Sequence, residues 1–402
     1  MSARTALGWR SLDSVARVLV LNGLAFNLGF YMLMPYLAQH LGAGLGLAGW
    51  AAGLVMGLRV FSQQGLFLLG GWLGDRLGHR RAIIWGCAIR SAGFVLLGWA
   101  NGLPSLLLAA MLTGFAGALF TPSAQASLAQ LCPEPDRRRA AFYLHNIASQ
   151  VGMLAGPLLG MLLIRVDFRL AGSAAGGLFM ALAWLQWRFL PPAHDAQATG
   201  ALAGASWRQT WRALWQKPAL IRFCGLTAVY QVLFHQLYLA VPAFVQQHAL
   251  GEETLSALFT LSALLGVAAP WPVNRWIVPR LGVAASMGVG LMLMGVAFLA
   301  PWVLEAQPML ALMSLATLLS LGSTLCFPLF AASLPHFSGN LPLGSSYGFM
   351  ASIGGCAALL GHVVVGTFLD TGAVSPPHWI WAALGVSGLA AGLGMWRIVK
   401  VP

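Results

Sequence analysis

Charge is what this chain has least of. Only 8% of its 402 residues are charged, against about 25% in a soluble globular protein, so polar groups could not cover a water-facing surface. Soluble enzymes and disordered chains are thereby excluded. Acidic residues are scarcest of all. There are ten, and each falls between apolar runs or at the end of one. The five cysteines (Cys87, Cys132, Cys224, Cys326 and Cys356) are scattered singly, which leaves no close pair for a metal or redox motif and no disulfide framework. They read as small buried hydrophobes. Period-two alternation is missing as well, which excludes a transmembrane barrel. No phosphate loop, zinc-binding helix or nucleic-acid module is present. No cofactor, no metal, no nucleic-acid partner and no enzymatic activity are expected.

What remains is apolar: 58% of the residues are hydrophobic and mean hydropathy is +0.77. Twelve runs, each near the ~20 residues that cross a bilayer, cover 15–41, 47–74, 82–101, 104–128, 140–166, 170–190, 219–245, 255–278, 283–301, 308–334, 345–369 and 379–396. In lipid each must be a helix, because every backbone polar group has to be satisfied within its own segment. The first run is too long for a signal-peptide core, and it is expected to be retained.

The net charge of +12 could suggest nucleic acid or anionic lipid as a partner, but its distribution reads as topology. With the N-terminus in the cytoplasm, eighteen of the 22 basic residues fall on the cytoplasmic side, as the positive-inside rule requires. Arg165 and Arg169 fall outside; Arg59 and Arg90 fall within the membrane. Both termini are therefore expected in the cytoplasm.

One long polar break, 191–217, runs through Pro191, Pro192, His194 and Asp195 and ends in a basic segment with Trp207, Trp211 and Trp215. It reads as a cytoplasmic linker closed by an interfacial amphipathic helix. The expected organisation is a six-helix bundle over 1–190, the linker over 191–217 and a second six-helix bundle over 218–402. The halves echo each other. Trp72-Leu73-Gly74-Asp75-Arg76-Leu77-Gly78 aligns with Trp276-Ile277-Val278-Pro279-Arg280-Leu281-Gly282, and Pro35, Pro122 and Asp167 have counterparts in Pro242, Pro328 and Asp370. Six spans per half make this a parallel repeat. Two such pseudo-symmetric bundles around a central cavity are the plan of an alternating-access transporter.

Between spans 2 and 3 stands Gly71-x-Leu73-Gly74-Asp75-Arg76-x-Gly78-His79-Arg80-Arg81. The glycines permit close approach and a tight turn, and Asp75 can sit on the positive N-terminus of span 11, near Gly344, Ser345 and Ser346. This segment resembles the signature loop of the major facilitator superfamily, G-x-L-A-D-R-x-G-R-K, and the resemblance implies a gating latch carried by Gly71, Asp75, Arg76, Gly78, Arg80 and Arg81. Span 5 carries Gly152-x-x-x-Gly156-Pro157-x-x-Gly160, which looks like the antiporter motif of the twelve-span drug–proton exporters of that superfamily. Small residues at this spacing let helices approach closely, and span 5 is expected to pack against a helix of the other half. Gly57-Leu58-Arg59-x-Phe61-x-Gln63-Gln64-Gly65, Arg90-x-x-Gly93-Phe94 and Asp167-Phe168-Arg169-Leu170 are also similar to a group of bacterial multidrug exporters of this type. On span 4 those exporters carry an acid and an arginine where this chain has Thr121 and Ala124, so no charge relay from the loop into span 4 is expected.

Ionisable groups at bilayer depth are costly and point to function. Arg59 and Arg90 lie near the middles of spans 2 and 3, with no mid-membrane carboxylate to neutralise them. A cavity-facing guanidinium favours anionic or acceptor-rich substrates over lipophilic cations. Alternatively, both arginines hydrogen-bond helix carbonyls, Gln63 or Gln64. Without a buried carboxylate, proton coupling falls to histidine: His235 in span 7 and His362 in span 11, with His145 in span 5 a lesser prospect. Asp370 or Asp167 could serve from the outer mouth. Gln231, His235 and Tyr238 share one helical face, as do Asn27, Tyr31 and Met34, and Asn146 and Gln150 lie one turn apart on span 5. The resemblance implies that spans 1, 4, 7 and 10 line the cavity. Asn27, Tyr31, Arg59, Gln63, Asn146, Gln150, Gln231 and Tyr238 are the expected substrate contacts. Gly344-x-Ser346-x-Gly348 matches a hydrolase nucleophile elbow, but it opens a membrane helix rather than following a strand.

The sequence thus points to a monomeric, proton-coupled exporter in a bacterial inner membrane. It would move a small amphipathic compound, drug-like or a self-made metabolite such as a siderophore. An importer of the same architecture and a non-transporting membrane receptor are the alternatives.

Overall fold

Glycine and proline set where the long helices of this chain begin, break and touch. The structure, a computed structural model, describes residues 12–41, 45–47, 49–190, 206–238, 240–248, 250, 252–369 and 378–398. Among these residues there are helices and connections and no strand. The chain forms two compact units. One comprises Met1–Lys217 with Ser338–Ser352; the other comprises Pro218–Phe337 with Ile353–Pro402.

The first unit holds α1 (Ser14–Gln39), α2 (Gly49–Gln64), α3 (Phe67–Leu77), α4 (His79–Trp99), α5 (Leu103–Leu131), α6 (Pro135–Ile164), α7 (Phe168–Phe189) and α8 (Trp207–Trp215). Here α1 packs on α6, α4 on α5 and α7, and α2 and α3 on α5. Asp167 caps α7 by accepting the Arg169 amide at 2.8 Å. Ser206 and Gln209 form a reciprocal capping box at the start of α8, so the Trp-rich segment is a helix from its first turn. Its tryptophans lie against Trp72 of α3 and Phe349: Trp207 is 5.9 Å from Trp72 and Trp215 is 5.3 Å from Phe349, ring centre to ring centre.

The second unit holds α9 (Pro218–His235), a 3₁₀ turn (Gln236–Tyr238), α10 (Ala240–Gln247), α11 (Glu252–Ala268), α12 (Pro270–Pro272), a π turn (Val273–Ile277), α13 (Val278–Leu281), α14 (Val283–Val303), α15 (Pro308–Ser338), α16 (Leu343–Leu369) and α17 (His378–Ile398). The last turn of α15 and the first turns of α16 belong to the first unit. Within the second unit α14 packs closely on α17, where Gly288 faces Gly392 and Gly295 faces Gly385 and Gly388.

Nine helices among the described residues are long and apolar enough to cross a membrane. The other three expected spans are interrupted. Span 2 breaks at Gly65 and Leu66 between α2 and α3. Span 7 tightens into a 3₁₀ turn ahead of Pro242, which has no N–H to give the carbonyl four residues back. Span 8 passes through Pro270 and Pro272 into the π turn. The repeat seen in the sequence has a local echo: Gly78 (φ +95°) and Gly282 (φ +83°) each end a short helix in a conformation that side chains resist.

Candidate functional site

The loop between α3 and α4 builds its contacts around Asp75. The Asp75 carboxylate accepts the Gly344 amide at 2.8 Å, the Ser345 amide at 2.6 Å and the Ser345 hydroxyl at 2.5 Å. These amides belong to the first turn of α16, where N–H groups have no partner in their own helix and the dipole favours a negative charge. Ser346 stays outside the cluster, its hydroxyl donating to the Pro342 carbonyl at 2.9 Å. His79 Nε2 lies 3.5 Å from Asp75 Oδ1. Arg80 donates to the Leu190 and Trp187 carbonyls, both at 2.7 Å, and so caps the end of α7; Arg76 lies 5.4 Å from the Trp72 ring centre. Gly71 is where α3 meets α16, and a Cβ there would run into the Gly344 carbonyl.

Burial lifts the Asp75 carboxyl to about 6, the Ser345 hydroxyl and the Ser345 and Gly344 amides pulling the other way. A carboxyl released to water titrates near pH ~3.9, so the form in which Asp75 contacts α16 holds the proton more firmly. The contact therefore strengthens as pH falls below about 6 and loses that increment as pH rises through it. Amide exchange at Gly344 and Ser345, corrected for its intrinsic pH dependence, should slow across this window. Protection that stays flat or falls would reject the linkage, and the same series in His79→Gln separates out the imidazole.

Span 5 departs from expectation in its partner. Gly152, Gly156 and Gly160 face α1 of their own unit rather than a helix of the other half. A Cβ at Gly152 would meet the Leu24 carbonyl, and one at Gly160 the Met32 carbonyl. The Tyr36 hydroxyl donates to the Pro157 carbonyl at 2.8 Å. The stripe is thus the seam between α6 and α1, set by glycines that bring two backbones together.

The two membrane arginines come together in the first unit. Arg90 is 1% exposed. Its guanidinium carbon stands 3.8 Å from the ring centre of Phe26, 5.2 Å from Phe179, 5.3 Å from Phe30 and 5.7 Å from Phe94. Arg59 stands 4.8 Å from the same Phe30 ring. Arg59 Nη1 and Arg90 Nε and Nη1 are buried with no hydrogen-bond partner among the described residues. Among the described residues these atoms bond neither a helix carbonyl nor Gln63 or Gln64. Gln63 lies nearby: its amide carbon and Arg90 Nη1 are 3.2 and 3.0 Å from where a Cβ on Gly117 would stand.

Asn27 uses its amide on the Gly23 carbonyl at 2.8 Å, and Tyr31 packs edge-on to Phe30 at 5.0 Å. Asn146 and Gln150 are half-buried on α6. In the second unit His235 Nδ1 meets the Gln231 carbonyl at 2.9 Å, and His362 Nε2 meets the His235 carbonyl at 3.1 Å. The Gln231–His235–Tyr238 stripe does not persist as drawn: α9 ends at His235, so helical spacing stops before Tyr238. The Tyr238 side chain and Asp370 lie outside the described residues. Sequence reading missed the phenylalanines around Arg90, and Gln236, which is fully buried with neither amide atom hydrogen-bonded among the described residues. Phe26 and Phe30, one turn apart on α1, were the available signal for the first.

A sequence profile of the Major Facilitator Superfamily matches residues 18–361. The chain belongs to the major facilitator superfamily. It is a multi-pass membrane transporter with the twelve-helix fold of that family. It is 37% identical over 401 residues to an uncharacterized MFS-type transporter of Mycobacterium tuberculosis, covering 97% of this chain and 94% of that protein. It is 28% identical over 379 residues to the multidrug resistance protein MdtH of Cronobacter sakazakii, covering 94% of this chain and 92% of MdtH. Among solved structures, the human organic anion transporter MFSD10 aligns with a TM-score of 0.74 at 18% identity over 95% of this chain and 98% of MFSD10. The proton:xylose symporter XylE aligns with a TM-score of 0.71 at 15% identity over 97% and 95%. At these identities the structural likeness shows the fold.

Proposed function

We propose that this transporter is a monomeric, proton-coupled exporter of small amphipathic compounds in a bacterial inner membrane, with both termini cytoplasmic. The observation that carries the reading is the Asp75 latch. A carboxylate held by the first turn of α16 through three hydrogen bonds is a contact that can break and reform as an alternating-access carrier cycles. The likeness to the multidrug resistance protein MdtH across 94% of the chain, together with the glycine stripe of span 5, supports export over uptake. Asn27, Tyr31, Arg59, Gln63, Asn146, Gln150, Gln231 and Tyr238 are the proposed substrate contacts. His235 is the first candidate for the proton, with His362 and Asp370 behind it.

Inverted membrane vesicles test direction and coupling together. An amphipathic fluorescent dye should accumulate when the vesicle interior is made acid and leave when nigericin collapses the gradient. Accumulation confined to right-side-out vesicles would make the protein an importer. No gradient-dependent movement in either would overturn proton-coupled transport.

A further inference from the structure

We infer that Arg59 and Arg90 together form the receptor for an oxyanion carried by the transported molecule, a carboxylate or a group of like geometry. This rests on reading the chain as a small-molecule transporter and goes further by naming the substrate class. A guanidinium has five N–H donors and no acceptor. The rings of Phe26, Phe30, Phe94 and Phe179 stabilise the Arg90 cation through their faces, but they offer its in-plane N–H groups no oxygen. Buried donors left this way are rare because each forfeits its hydrogen bonds to water.

The charges compound the deficit. Arg59 and Arg90, two like charges, stand 4.8 and 5.3 Å from the centre of the same Phe30 ring and pair with no carboxylate among the described residues. An oxyanion binding at this cluster relieves both problems: it accepts forked hydrogen bonds and screens one cation from the other. Gln63, beside Arg90 Nη1, is placed to help hold it. Arg90, at 1% exposure, is the fixed charge that aromatic packing keeps in position, and the less enclosed Arg59 is the group that meets the ligand.

The probes are 1-naphthoate and 1-naphthylmethylammonium, which share one apolar body and differ in charge. Calorimetry on the transporter in phosphatidylcholine nanodiscs should show naphthoate binding at least about tenfold tighter than the cation. Arg59→Gln should erase that preference, and Arg59→Lys should keep part of it, having the charge without the fork. Gln63→Glu is the decisive variant, because it supplies an internal carboxylate. It should cost naphthoate about tenfold in affinity or more while leaving the melting temperature unchanged or higher. A merely structural role for the arginines predicts no loss of naphthoate binding in that variant. Equal affinity for the two probes, or unchanged naphthoate binding in Gln63→Glu, would overturn the oxyanion receptor. So would phosphatidylglycerol displacing naphthoate, which would assign the arginines to a lipid headgroup. Dye movement in wild-type vesicles is a separate readout. If it persists while the naphthoate preference is absent, the receptor falls and the transporter reading stands.

Discussion

Gly71→Val should abolish transport, and Gly71→Ala should reduce it in the same direction. The hydrogen atom of Gly71 is all that fits between α3 and the Gly344 carbonyl, so the obstacle to a side chain is backbone and cannot swing aside as a rotamer would. Gly344 and Ser345 then move away from Asp75, and three hydrogen bonds to one carboxylate are lost together. Charge-assisted bonds contribute roughly 1.5–3 kcal/mol each when made well, and overpacking a close contact costs about 1–3 kcal/mol. Even one lost bond with modest overpacking shifts the latched population by about a hundredfold. Asp75→Asn tests the electrostatic share, because it keeps the shape and gives up the charge that faces the helix dipole. Gly225, where a Cβ would meet nothing within 4 Å, is the control, and Gly225→Ala should transport normally. Initial transport rates in vesicles, normalised to folded protein, decide the matter. A Gly71→Val protein that transports at the wild-type rate would show that this contact is dispensable.

The parts of the molecule that follow from local chemistry could be read in advance. Twelve apolar runs fixed the helices, because lipid leaves a spanning backbone no other way to satisfy itself. Asp75 could be placed near Gly344 and Ser345 because a carboxylate and a helix N-terminus attract wherever a chain brings them together. What escaped was set by tertiary partners. The spacing of Gly152, Gly156 and Gly160 declares a close helix contact but not its partner, and the partner is α1. The interruption after His235 ends the regular helix that the Gln231–His235–Tyr238 stripe assumed, 3.6 residues per turn throughout. Phe26, Phe94 and Phe179 come from three helices, so nothing in their sequence spacing foretells that they surround one guanidinium.

His235→Ala should uncouple transport from the proton gradient, lowering gradient-driven accumulation by about tenfold or more while leaving substrate–substrate exchange intact. A carbonyl only accepts, so the contact to the Gln231 carbonyl fixes the His235 proton on Nδ1 and leaves Nε2 as the basic nitrogen. The 3₁₀ turn after His235 takes its carbonyl out of the regular helical ladder, and His362 Nε2 donates to it at 3.1 Å. That fixes the second proton on Nε2 and leaves His362 Nδ1 basic. The two ring centres stand 5.8 Å apart, and each ring keeps one nitrogen outside these two contacts. The buried Gln236 amide, bonded to nothing among the described residues, adjoins the pair in sequence. A proton arriving on His235 makes its ring a cation, and the donor and acceptor arrangement that holds the 3₁₀ turn against α16 must adjust to it. A proton carried by His235 would thus act on a stretch where, among the described residues, span 7 leaves the α-helix. His362→Ala should lower gradient-driven accumulation less than His235→Ala, because it removes a hydrogen-bond partner and leaves the first acceptor. His235→Gln, similar in size but unable to titrate, should match His235→Ala in coupling and the wild type in thermal stability. If accumulation in both His235 variants follows the gradient as in the wild type, the proton travels elsewhere, and Asp370→Asn becomes the variant to measure.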